Sequence, residues 1–184
     1  MIEKETLIFQ GRVIRLNVEQ VRLPNNQLAE LEIIHHPGGA AIVALDNEQR
    51  VCLLNQYRHA AGGWLWELPA GKIDHREPPL QTAQRELEEE SGCRASSWRY
   101  LGEYISSPGV FTEVIHLYLA TDLTFCANKP EEHEVFQISW LPFQEALAMA
   151  DRGEIKDGKT LVGLFKTLQL LHSESKQPSN TQAL

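Results

Sequence analysis

Residues 78–91 constrain the fold of this chain more than any other stretch. They open on two prolines suited to a first helical turn, carry Leu80, Ala83 and Leu87 at helical spacing, and end at Gly92. Strand patterns flank this segment: Trp64-Leu65-Trp66-Glu67-Leu68 runs up to Pro69 before it, and WRYLGEYIS follows it. An amphipathic helix set among strands buries its apolar stripe by lying on a sheet. Upstream, TLIFQGRVIRLNVEQVRLP and LAELEIIHH alternate as antiparallel strands, with Pro24-Asn25-Asn26 as the turn of a hairpin. The runs AAIVAL and VCLLNQYR flank Asp46-Asn47-Glu48 and read as two more deeply buried strands joined by a short turn. VIHLYLAT and VFQISWLP add strands, and 143–152 and 160–172 read as amphipathic helices. This order predicts an α/β chain, an α/β/α sandwich with a mixed β-sheet, preceded by an N-terminal antiparallel β-hairpin. Residues 1–36 form the hairpin segment, 37–172 the main domain, and 173–184 a polar tail expected to be disordered.

At 184 residues the chain is the size of one ordinary domain. Its net charge of −8 argues against a nucleic-acid partner, whose phosphates need a basic surface. Cys52, Cys93 and Cys126 are far apart in apolar surroundings, which reads as buried thiols in a reducing compartment. The charged N-terminus lacks a signal-peptide core and no apolar run approaches a membrane span, so the expectation is a cytoplasmic protein without a membrane partner.

The helical segment ends in RELEEESG, four glutamates in five positions with only Arg85 to offset them. At about 100° per residue, Glu86 and Glu90 lie within roughly 40° of each other and Glu89 lies about 60° to the other side of Glu86. Glu88 points nearly opposite. Three carboxylates thus converge beside the Leu87 stripe, a donor set suited to Mg²⁺ or Mn²⁺. Alone, such a face is ordinary solvated surface. Here a loop from Gly71 through Asp74 enters from a strand, Glu77 stands at the mouth of the helix, and Arg85 can reach Glu77 or Glu89.

Gly71, Glu77, Arg85, Glu86, Leu87, Glu89, Glu90, Gly92 and Cys93 match the box G-x5-E-x7-R-E-U-x-E-E-x-G-U, so the chain resembles the Nudix hydrolases. Cys93 is an unusual choice for the last apolar slot. The resemblance implies a Nudix fold and hydrolysis of a nucleoside diphosphate linked to another moiety, by metal-assisted attack of water on phosphorus. It implies Glu86 and Glu90 as principal metal ligands, Glu89 as a ligand or a partner of the ligands, the carbonyl of Ala70 as a backbone ligand, and Gly71, Glu77 and Arg85 as organisers of the loop.

Three stretches outside the box resemble the ADP-ribose pyrophosphatase subfamily: Gln56-Tyr57-Arg58 followed by Trp66 through Asp74, the loop Ser107-Pro108-Gly109 with Glu113, and Gly153 through Thr160. By that resemblance Arg58, Lys72, Ser107 and Glu113 contact the diphosphate or the terminal ribose. A plain turn remains the alternative for Ser107, and a surface ion pair for Arg58. In 130–135 the resemblance implies Glu132 as the general base and Glu134 as a further metal contact, with Glu131 one residue away as a rival base. It also implies a homodimer with an exchanged hairpin, where Phe9 stacks on the adenine of the other subunit's ligand; Phe9 as a core residue is the rival reading. The substrate expected is ADP-ribose, a small nucleotide sugar, cleaved to AMP and ribose 5-phosphate. GDP-mannose and similar nucleotide sugars are the alternative, and a non-catalytic module sensing ADP-ribose is the alternative of another class.

Overall fold

The structure is a computed structural model that describes residues 1–74, 77–127 and 135–175. Three antiparallel strands lead the chain, β1 (Ile2–Gln10), β2 (Arg15–Arg22) and β3 (Leu28–His35), in the order β1-β2-β3. The sequence pattern announced the β2–β3 hairpin. The Leu23 N–H donates to the Gln27 carbonyl at 2.9 Å across the proline turn, and Asn26 takes a left-handed φ of 65°, which asparagine tolerates.

Two further sheets follow. One holds β7 (Ala70–Lys72), β4 (Gly39–Ala44), β9 (Val114–Phe125) and β8 (Cys93–Ile105) in that order, and the other holds β10 (Phe136–Pro142), β5 (Arg50–Arg58) and β6 (Gly63–Glu67). The first is mixed: β4 runs parallel to β9 and antiparallel to β7. Although β4 and β5 are joined by a short turn, they part into different sheets after one bridge between Leu45 and Val51.

Every residue of β4 is buried, because helices cover both faces. On one face Ala40, Ile42 and Ala44 pack with Ala83 and Leu87 of α1 (Pro79–Ser91). On the other, Val43 packs with Phe143 and Ala146 of α2 (Phe143–Asp151) and Leu164 of α3 (Gly158–Ser175). The result is the expected α/β/α layering. Burying Leu87 alone contributes about 2 kcal/mol to docking α1.

Four expectations are corrected. Leu80 is exposed, because only Ala83 and Leu87 of the proposed stripe face the sheet. Cys126, just beyond β9, is exposed, whereas Cys52 and Cys93 are buried. Phe9 is 54% exposed and so is no core residue. Helix α3 runs to Ser175, three residues into the expected tail, and the Ser173 and Ser175 hydroxyls donate to the Leu170 and His172 carbonyls on its last turn. No helix among the described residues is long and apolar enough to cross a membrane.

Candidate active site

Helix α1 ends where the sequence says it should. Gly92 adopts a left-handed φ of 65° and donates its N–H to the Glu88 carbonyl at 3.1 Å. The acidic residues are distributed around the helix as the spacing requires. Glu86 and Glu90 continue the face that Ala83 and Leu87 bury, and are 7% and 1% exposed. Glu88 faces away and takes two bonds from the Arg94 guanidinium, at 2.6 and 2.7 Å.

Strand β7 brings the loop against these carboxylates. The Ala70 N–H donates to Glu90 Oε2 at 2.7 Å, and Gly71 lies so close to Glu86 that a Cβ added there would overlap its carboxylate. Arg85 gathers the rest: Nη1 donates to Glu86 at 2.6 Å and Glu89 at 2.9 Å, while Nη2 reaches Glu77 and the Lys72 carbonyl, both at 3.3 Å. Burial opposes ionisation of Glu77, but the Arg85 and Thr82 hydrogen bonds outweigh it and hold the carboxyl below its ordinary range. One guanidinium therefore serves Glu77, Glu86 and Glu89, with Glu90 anchored separately. This all-oxygen donor set, carrying excess negative charge in a cradle that only glycine leaves open, fits a hard divalent cation.

Gly71→Ala tests that cradle. The overlapped group is the far end of a flexible side chain, so the fold should shift Tm by only a few degrees, while the displaced Glu86 carboxylate lowers turnover by about 10- to 100-fold. A variant that loses both together would show that Gly71 serves stability instead.

Beside the carboxylates lies a cavity of about 410 Å³. It forms where β4 and β9 begin and β5 and β8 end. Arg58, Ala70, Gly71, Lys72 and Glu113 of the expected site residues line it. A second hollow of about 340 Å³ holds Glu86 and Arg85 and shares His36, Gly71 and Lys72 with the first, so cavity and carboxylates adjoin. Lys72 donates to Asp74 at 2.7 Å and is half exposed.

Ser107 does not line this cavity. Its carbonyl accepts the Val110 and Phe111 N–H groups at 3.2 and 2.9 Å, the turn reading, while its neighbour Ser106 is in the wall with a buried hydroxyl that has no partner among the described residues. Phe9 is likewise outside the lining. Glu131, Glu132 and Glu134 lie outside the described residues.

Several residues that line the cavity or hold its lining went unassigned in the sequence. Glu67, 2% exposed, accepts both arms of Arg58 at 2.8 and 3.0 Å and the Lys159 ammonium at 2.5 Å. Burial opposes its ionisation, yet Arg58 and then Lys159 prevail and hold the carboxyl below its ordinary range. Lys159 also pairs with Asp157 at 3.0 Å. A glutamate in a strand otherwise bound for burial was the available signal. His36 accepts the Gly38 N–H on Nδ1 at 3.1 Å, and Glu113 stands 3.3 Å from the same nitrogen. Burial lowers the affinity of this imidazole for a proton, Glu113 opposes that, and Lys72 adds to it.

A family profile for the NUDIX domain matches residues 35–162. The chain belongs to the NUDIX family. The ADP-ribose pyrophosphatase of Bacillus subtilis is 36% identical over 165 residues, covering 86% of this chain and 89% of its own. A protein named methanol dehydrogenase activator from Bacillus methanolicus is 38% identical over 170 residues, covering 89% and 92%. A crystal structure of an ADP compounds hydrolase superposes with a TM-score of 0.82 over 96% of both chains at 17% identity, which shows a shared NUDIX fold.

Proposed function

We propose that this NUDIX protein hydrolyses the pyrophosphate of ADP-ribose and related ADP-sugars to AMP and sugar phosphate, with Mg²⁺ as its ion and Mn²⁺ as a substitute. The observation that carries the reading is the adjacency of the Glu86, Glu89 and Glu90 cluster to a cavity walled by Arg58, Lys72 and Lys159. The name of the Bacillus subtilis relative supports the choice of substrate.

Glu86, Glu90, Glu89 and the Ala70 carbonyl are the residues to hold the ion, with Glu134 as a further contact. Bound there, a divalent ion offsets diphosphate charge and acidifies water. Arg85 and Glu77 keep the carboxylates aimed, and Gly71 leaves room for Glu86. Arg58 and Lys72 face the diphosphate, Arg58 being oriented by Glu67, and Glu113 faces the ribose. Glu132, with Glu131 as its rival, takes the proton of the attacking water. A P–O bond forms from that water as the bridging P–O bond breaks. The working form is a homodimer exchanging residues 1–36, a reading supported by Leu7, Ile8 and Phe9 lying exposed on β1. Phe9 then offers a stacking face to the other subunit's nucleobase. A cytoplasmic location accords with three free cysteines.

A panel of ADP-ribose, ADP-glucose and GDP-mannose, incubated with Mg²⁺ in ¹⁸O-water, tests the proposal. ADP-ribose should be turned over about tenfold or more faster than GDP-mannose, with the label in one product naming the attacked phosphorus. Faster turnover of GDP-mannose would overturn the substrate, and ADP-ribose binding without turnover would make the protein a sensing module.

A further inference from the structure

The N-terminal sheet carries a second cluster of potential ligands, remote in sequence from the NUDIX box. Glu5 on β1, Glu19 on β2 and His35 on β3 each offer one donor atom, and these atoms lie within 4.8 Å of one another. His35 Nε2 is 2.7 Å from Glu19 Oε1, and Glu19 is only 5% exposed. Three adjacent strands thus turn an imidazole and two carboxylates toward one point.

A buried polar side chain adjoins this cluster. Asn17, two residues before Glu19 on the same face of β2, is 1% exposed, and its Nδ2 donates to Glu5 Oε1. The oxygen of that same amide, Oδ1, is buried with no hydrogen-bond partner among the described residues. Leaving a buried acceptor unsatisfied is costly, and native folds rarely do so without a donor or a cation nearby. Beside two carboxylates, a cation satisfies the amide oxygen and offsets the carboxylate charge at once. Arg15, 3.3 Å from Glu5 Oε1, supplies part of that charge now, and its half-exposed side chain can turn to solvent.

We propose that Glu5, Glu19 and His35, with Asn17 Oδ1 as a fourth donor, form a zinc site that ties β1, β2 and β3 together. The imidazole decides the ion: one nitrogen with carboxylate oxygens is a zinc donor set, whereas Mg²⁺ takes oxygens in a hydrated octahedron. Bonds of about 2.0–2.2 Å at tetrahedral angles set donors about 3.4 Å apart, so small side-chain rotations complete the set. The site is structural, since four protein donors leave no open position for substrate.

The test uses the full chain carrying Glu86→Gln and Glu90→Gln, which removes two of the three carboxylates of the α1 cluster, stripped of metal by a chelator. Titration with Zn²⁺ is expected to show one bound equivalent and a Tm rise of about 5–10 °C at a hundredfold excess over Kd. Co²⁺ in its place should give the intense visible bands of a four-coordinate site. Adding His35→Gln, which can keep a hydrogen bond to Glu19, should weaken binding by about tenfold or more without changing the metal-free Tm. Glu5→Gln, on the exposed edge strand, should weaken binding likewise and stands in should the His35 variant fail to fold. A bound equivalent unchanged by either substitution would overturn the proposal, as would no binding at all in the parent. Two equivalents in the parent, with one lost on Glu5→Gln, would support it and show that the α1 cluster still holds an ion.

Discussion

Replacing Glu86 by glutamine is expected to lower kcat on ADP-ribose by about 10³-fold while leaving the melting temperature within a few degrees. The size follows from the chemistry. A metal-held diphosphate draws several kcal/mol of charge stabilisation from its ion, and about 4 kcal/mol is three decades in rate. The fold is spared because glutamine keeps the volume of the side chain and one oxygen for the Arg85 contact, now 2.6 Å long. Glu88→Gln is the matched control. It lies on the same helix and loses the same charge, but it faces Arg94 at the surface, so kcat should stay within about twofold and stability within about 1 kcal/mol. Steady-state kinetics of the two variants across a Mg²⁺ titration separates them. Equal losses would mean that the helix contributes general acidity only, and unchanged activity in Glu86→Gln would remove the metal-site argument.

How far the site could be read in advance depended on the range of the interactions concerned. Helix α1 was legible to its C-terminal glycine because punctuation and a 3.6-residue period are local signals, and the angular argument gathered Glu86, Glu89 and Glu90 beside the Leu87 stripe and turned Glu88 away from it. The strands were legible by alternation. Their partners were not: nothing local says that β4 and β5, joined by a short turn, part into two sheets, or that β4 runs parallel to β9, some seventy residues on. Strand β7, of three residues, is too short to show any period. The core reading of Phe9 and the buried reading of Cys126 failed for one reason, that an apolar residue in or beside a strand of unknown coverage is as readily exposed as buried. Glu67 and Lys159 escaped because they are partners across 92 positions, brought together only when β6 meets the start of α3.

That long-range pair carries the second large effect. Glu67→Gln is expected to destabilise the protein by about 3 kcal/mol at pH 7, because it leaves Arg58 and Lys159 facing a neutral amide behind the cavity wall, where the carboxylate was 2% exposed. Arg58 is half exposed and Lys159 keeps Asp157, so solvent and that second partner bring the figure to the low end for a broken buried pair. The pH dependence identifies the cause. The folded carboxyl is held below its unfolded value, so its contribution is fully present above an unfolded pKa of about 4.3 and disappears as pH falls through the folded value. Urea midpoints should therefore separate wild type and variant at pH 7 and converge toward acid, below about pH 4. A gap of constant size would assign the loss to shape. Activity adds a second reading of the same charge: with Arg58 no longer held by two bonds, KM for ADP-ribose should rise more than kcat falls, since what is lost is the orientation of a group that meets the diphosphate before and during the reaction.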